Sequence, residues 1–223
     1  MKDGKLSQNT SLSYFNKVRA SLREAYNNKL IKENPTLRVR CIKEEETHRE
    51  YLTLEELQCL AKTDCKSPIL KRAFIFSALT GLRFSDVKNL KWKNINHDSI
   101  NGYSIVYTQK KTKGAENLPV GEQAINILGK KKNDDDSVFE NMQYISYYSD
   151  KLSKWISESG ITKHITFHCA RHSFATLQLT LGTDIYTVSK LLGHKHVKTT
   201  EIYGQIINTK KIEAAERIPE LVF

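Results

Sequence analysis

The chain has 223 residues and a formal net charge of +10, from 35 Lys and Arg against 25 Asp and Glu. Hydrophobic residues at 39% beside 27% charged describe a globular chain with enough material for a sizeable core, and they exclude a disordered one. No apolar run approaches the roughly 20 residues of a membrane helix. The apolar signal segment of a secreted protein is missing too. Cys41, Cys59, Cys65 and Cys169 show no C-x-x-C spacing, which argues against a zinc ribbon or a disulfide framework and for a reducing cytosol.

Residues 1–43 carry ten Lys and Arg against three Asp and Glu, whereas residues 44–223 are nearly balanced. A basic segment on a balanced body fits a polyanion, nucleic acid being the commonest, although a solvated tail has the same composition. Leu12, Phe15, Val18, Leu22 and Ala25 recur at helical spacing and predict a helix over about 11–32, stopped by Asn34-Pro35. Residues 36–50 read as a polar linker. Thr53 with Glu56 forms a capping box, and Leu52 with Leu57 the matching staple, so a domain starts near residue 51.

An apolar helix over about 68–80 stops at Gly81, and a short one follows over 85–90. The period then changes from helical to alternating. Asn101-Gly102 predicts a tight hairpin, 103–108 a strand, Lys113-Gly114 a second turn and 117–120 a further strand. The expected unit is a three-stranded antiparallel meander in a mainly α protein. Helices are predicted over 121–129, 144–158, 167–181, 184–192 and 208–217, with Gly160 and Gly182 as stops and Thr166 and Asp184 as caps.

Four segments could carry chemistry. His168 and Arg171 lie three apart at a helix start, where free N–H groups favour a phosphate. His194 follows the helix stop Gly193, and Tyr203 lies nine residues on. Arg83 follows the turn at Gly81 and precedes Asp86, while Lys110, Lys111 and Lys113 crowd a hairpin tip. Taken singly, each has an ordinary account: a packed His, an Arg–Asp pair, a half-buried Tyr, a solvated turn. Together they supply two permanently charged bidentate cations, proton-transfer groups and a nucleophilic oxygen. There is no P-loop and no acidic cluster suited to Mg²⁺. His168, Cys169 and His172 have a spacing at which a metal could be shared, but no acidic ligand lies close in sequence.

The ordered boxes Thr80-Gly81-Leu82-Arg83-Phe84-Ser85-Asp86, Gln109-Lys110-Lys111-Thr112, His168-Cys169-Ala170-Arg171-His172 and Leu192-Gly193-His194 with Thr200-Glu201-Ile202-Tyr203 resemble the tyrosine recombinase (phage integrase) family. They are most similar to integrases of mobile elements such as conjugative transposons and prophages. The resemblance covers residues 51–223 as a catalytic domain of the DNA breaking-rejoining fold. It makes 1–45 the C-terminal part of a helical core-binding domain plus linker, a domain that in the family begins well before this point.

The resemblance implies that Arg83 and Arg171 clamp a scissile phosphate. Lys111, eight residues before Pro119, protonates the leaving 5′ oxygen. His168 assists proton transfer at the nucleophile, and His194 donates to a phosphate oxygen. Tyr203 attacks phosphorus to give a 3′-phosphotyrosyl link, and Asp86 orients the site. Ala170 replaces a more usual Leu, and Asp86 a more usual Glu.

The implied activity is site-specific DNA integration or excision without cofactor or metal. Double-stranded DNA is the partner, and the synapse is a homotetramer, with a monomer as the free state. DNA-bending accessory proteins join it, in the cytoplasm and nucleoid rather than at a membrane. The alternatives are a chromosome-dimer resolvase or type IB topoisomerase-like enzyme of the same chemistry, or a non-catalytic DNA-binding fragment. Residues 208–223 are expected to dock on a neighbouring protomer.

Overall fold

The computed structural model describes residues 6–45, 49–108, 114–204 and 219. The chain divides into two units, Met1–His48 and Arg49–Phe223. In the first, α1 (Gln8–Asn27) starts at Ser7, whose side chain accepts the Thr10 N–H. Asn9 exchanges two hydrogen bonds with the Glu45 backbone, at 2.7 and 2.9 Å, which ties the helix start to the end of this unit. No residue of α1 is buried.

The helix is shorter than the expected 11–32. It ends at Asn28, and Lys29 turns left-handed with φ 58°. Asn34-Pro35 does not stop it. Instead Asn34 accepts the Thr36 N–H and opens a short 3-10 turn over Pro35–Arg38, with Pro at its first position.

The second unit begins as the sequence predicts. Thr53 caps α2 (Leu54–Lys62): Thr53 N–H donates to Glu56 Oε2 at 2.8 Å, and Glu56 N–H donates to Thr53 Oγ1 at 3.2 Å. The helix α3 (Pro68–Thr80) stops at Gly81, which is left-handed at φ 72°, and α4 (Phe84–Lys88) follows at once. Three strands then pair antiparallel in the order β1 (Ile95–Asp98), β2 (Gly102–Thr108) and β3 (Ala115–Val120). Asn101-Gly102 is not the two-residue turn its composition suggests. Gly102 already pairs with Asp98, and Asp98 Oδ1 accepts the N–H groups of Ile100 and Asn101 at 2.8 and 2.7 Å. The aspartate organises a three-residue loop, and Gly102 closes it at φ 74°. Ile105 and its partner Leu118 face inward and are buried, while Val106, next to Ile105 in the alternation, is exposed.

Among the described residues four α-helices follow: α5 (Glu122–Leu128), α6 (Ile145–Glu158), α7 (Phe167–Thr180) and α8 (Ile185–Leu191). Their bounds fall within a residue or so of those read from the sequence. Asp184 caps α8 by accepting the Thr187 N–H at 2.9 Å. At α7 the cap runs through sulfur, with Thr166 N–H donating to Cys169 Sγ at 3.3 Å. The expected helix over 208–217 lies outside the described residues.

The core is aromatic at the centre of α3. Phe74 meets Trp155 and Phe167 edge-on, and Phe84 meets Phe167 at 4.9 Å between centroids. These contacts fix the starts of α4 and α7 against the middle of α3. Ser173 adds a buried polar tie, accepting the Leu52 N–H at 2.8 Å and donating to the Cys169 carbonyl.

Gly81 is demanded twice, by its positive φ and by space. A Cβ there would lie 2.6 Å from Phe174 Cδ1 and 3.0 Å from Leu192 Cδ2. Gly81→Ala is expected to cost roughly 2–4 kcal/mol, from left-handed strain plus overpacking. Urea unfolding of the variant checks this, and a midpoint equal to wild type would show that the ring and the turn both yield freely.

Candidate active site

Arg171 sits in the second turn of α7 and is 3% exposed. Its Nη1 donates to the Gly81 carbonyl and its Nη2 to the Leu192 carbonyl, both at 2.7 Å. Nη2 also lies 3.0 Å from His194 Nε2. Three of the five guanidinium N–H groups are thereby engaged, leaving two for a ligand. The two carbonyls come from helix ends, where intrahelical donors have run out.

Burial, with the Arg83 charge beside it, lowers Arg171 to about 10, so it stays cationic at neutral pH. Arg83 stands at the cap position of α4 and approaches Asp86, with Nη1 3.9 Å from Oδ2. Two arginines whose charges act on each other across one small volume make a site of positive potential.

Tyr203 ends the last described helical turn and is 5% exposed. Its hydroxyl lies 2.7 Å from His172 Nδ1. Burial raises the phenol to about 12, although the Arg171 and Arg49 charges pull the other way. Burial also drives His172 down to about 3, assisted by His168, Arg49 and Arg171. At neutral pH His172 is therefore neutral and Tyr203 keeps its proton. His168, one turn earlier on α7, packs edge-on against His172 at 4.7 Å between centroids.

Of the residues singled out in the sequence, Arg83, Asp86, Arg171, His194 and Tyr203 are linked through these contacts and charges, and His168 joins them through His172. Lys111 lies outside the described residues. Two participants were passed over in the sequence. His172 was considered only as a metal ligand, yet its Nδ1 is taken by Tyr203. Thr200, whose Oγ1 lies 2.9 Å from His194 Nδ1, carried no signal beyond its place before the tyrosine. Among the described residues, no three His, Cys, Asp or Glu side chains are grouped to hold a metal ion.

The two displaced groups set a pH dependence. The unfolded chain protonates His172 near its ordinary 6.5 and the folded chain near 3, so between these values the unfolded state binds more protons. Stability is expected to fall as pH drops from about 6.5 to about 3. It falls again as pH rises from about 10 to about 12, where unfolded Tyr203 ionises first. Urea midpoints across the acid range are expected to fall less steeply in His172→Asn. Equal slopes for variant and wild type would contradict a buried neutral imidazole.

With this geometry established, comparison with known proteins is direct. The model of the phage integrase family matches residues 50–209, and that of the phage integrase SAM-like domain matches residues 1–41. A tyrosine recombinase of Agathobacter rectalis is 32% identical over 176 residues, covering 71% of this chain and 56% of that protein. The ICEBs1 integrase of Bacillus subtilis is 25% identical over 228 residues, covering 89% and 62%. Tyrosine recombinase XerA of Pyrococcus furiosus is 31% identical over 192 residues, covering 81% and 65%. The chain thus spans between 56% and 65% of these relatives' lengths.

Among solved structures, the XerH site-specific recombinase in a post-cleavage complex with difH superposes with a TM-score of 0.72 at 20% identity, covering 97% of this chain and 69% of that one. A lambda integrase dimer bound to a COC′ core site gives 0.71 at 20% identity, covering 97% and 77%. The mainly helical fold with its three-stranded antiparallel sheet is that of these catalytic domains. On the family match across most of its length, the chain belongs to the phage integrase family, the tyrosine recombinases.

Proposed function

We propose that the protein is a site-specific DNA recombinase of a mobile element, cutting and rejoining strands through a 3′-phosphotyrosyl intermediate. The observation that carries this reading is the placing of the Tyr203 hydroxyl under the charge of a buried Arg171, itself beside Arg83. A tyrosine near a buried arginine that itself lies near a second one suits attack on a phosphodiester, because the arginines stabilise negative charge on the transferring phosphoryl group. Residues 51–223 then form the catalytic domain. Residues 1–45 form part of the core-binding domain and linker, whose charge favours the DNA backbone.

In this mechanism Arg83 and Arg171 hold the non-bridging oxygens, and Asp86 orients Arg83. Tyr203 Oη forms the new bond to phosphorus as the bond to the 5′ oxygen breaks. The phenol proton leaves toward the histidine pair while Lys111 delivers a proton to the departing oxygen, so the step is proton-neutral overall. His194 serves a phosphate oxygen. In the DNA-free arrangement its Nε2 faces Arg171, a pure donor, and so accepts. Donation to phosphate requires that ring to gain a proton or change tautomer. The phosphotyrosyl bond retains the energy of the broken phosphodiester, so rejoining needs no nucleotide. Double-stranded DNA is the substrate, which the substrate-bound complexes of XerH and lambda integrase support by likeness of fold, and a homotetramer is the synaptic form in this reading.

The test uses a nicked suicide duplex carrying the ends of the protein's own element, with products separated on a denaturing gel. Wild type is expected to give a covalent protein–DNA band, and Tyr203→Phe none. A band that persists in Tyr203→Phe rejects this nucleophile. Arg171→Ala is expected to slow adduct formation about 10³-fold, the scale of one arginine in related phosphoryl transfer. Duplex binding, measured by fluorescence anisotropy, is expected to weaken steeply as salt rises from about 50 to about 200 mM. Salt-independent binding would argue against contact with the phosphate backbone.

A further inference from the structure

We propose that Thr200 is a positioning residue: it registers the segment bearing Tyr203 on the Arg171–His194 clamp, through a side-chain bond on one side and a main-chain bond on the other. The inference rests on the reading of Tyr203 as nucleophile given above.

Thr200 is a polar residue with 0% exposure. Its Oγ1 lies 2.9 Å from His194 Nδ1. Its carbonyl accepts the Tyr203 N–H at 3.1 Å, and its own N–H donates to the Val197 carbonyl. One residue therefore touches both the clamp histidine and the backbone of the tyrosine.

The direction of each bond follows from chemistry. A guanidinium has only donors, so the 3.0 Å contact from Arg171 Nη2 requires a lone pair on His194 Nε2. His194 is then neutral with its proton on Nδ1, and that N–H must donate to Thr200 Oγ1. The chain of donation runs from Arg171 through His194 to Thr200. It is anchored at its other end where Arg171 donates to the Gly81 and Leu192 carbonyls.

Thr200→Val keeps the branched shape and removes the acceptor. The His194 Nδ1–H loses the Thr200 hydroxyl as acceptor, and the opposite tautomer would set an N–H against the donors of Arg171. Either way the imidazole and the turn carrying Tyr203 lose their common anchor. A misplacement of about 1 Å can cost about 10²-fold in rate.

The test has two readouts on the full chain. The first is ¹⁵N NMR of labelled histidine without DNA, with the His194 signals identified by their loss in His194→Gln. Wild type is expected to show His194 protonated at Nδ1, Thr200→Val to lose that signature, and Thr200→Ser to regain it. The second is single-turnover cleavage of the suicide duplex. Thr200→Val is expected to fall 10- to 100-fold with unchanged duplex affinity, and Thr200→Ser to recover. Thr200→Ala is run in parallel and decides the matter should the valine variant fail to fold.

An unchanged tautomer, or a changed tautomer with an unchanged cleavage rate, overturns the proposal. The NMR result needs no DNA, so its failure is separate from a failure of the Tyr203 assignment, which the Tyr203→Phe adduct assay reports.

Discussion

The site depends on a buried guanidinium. Placing Arg171 at 3% exposure is costly unless its charge is matched by well-aligned acceptors. Two of these are main-chain carbonyls at helix ends, Gly81 and Leu192, and the third is His194. That requirement reaches outward. Gly81 has to be left-handed and lack a Cβ, because Phe174 and Leu192 close over it. The aromatic contacts among Phe74, Phe84 and Phe167 hold α3, α4 and α7 in the arrangement that brings these groups together.

Protonation is divided within the cluster. Arg171 remains charged, whereas His172 is held neutral and Tyr203 protonated. Burial pushes the phenol up and the imidazole down, so proton transfer from Tyr203 to His172 is disfavoured in this arrangement. The resting pair therefore keeps the Tyr203 phenol protonated. On the proposed function, a phosphodiester bound there would add negative charge beside the imidazole and stabilise an imidazolium.

Much of the secondary structure was legible in the sequence because its signals are local. The Thr53–Glu56 capping box, the Gly81 stop, the Asp184 cap and the alternation over 103–108 each act within a few residues, and each appears as read. The errors were local competitions decided the other way. Lys29 turned left-handed before Asn34-Pro35 could end α1, and Asp98 captured the loop N–H groups that Asn101-Gly102 was expected to arrange. The boxes around Arg83, Arg171, His194 and Tyr203 were legible as chemistry because their residue types are unusual together.

The sequence by itself determined most of the elements and the family boxes, since these rest on short-range preferences and side-chain chemistry. Only the tertiary structure decided which histidine meets the tyrosine and which proton sits on which ring. His172 lies 31 residues from Tyr203, and Gly81 lies 90 from the Arg171 that needs its carbonyl. Bonds across such separations depend on how α3, α7 and the turn after α8 pack. The displaced acidities of His172 and Tyr203 come from burial, which no local pattern of residues specifies.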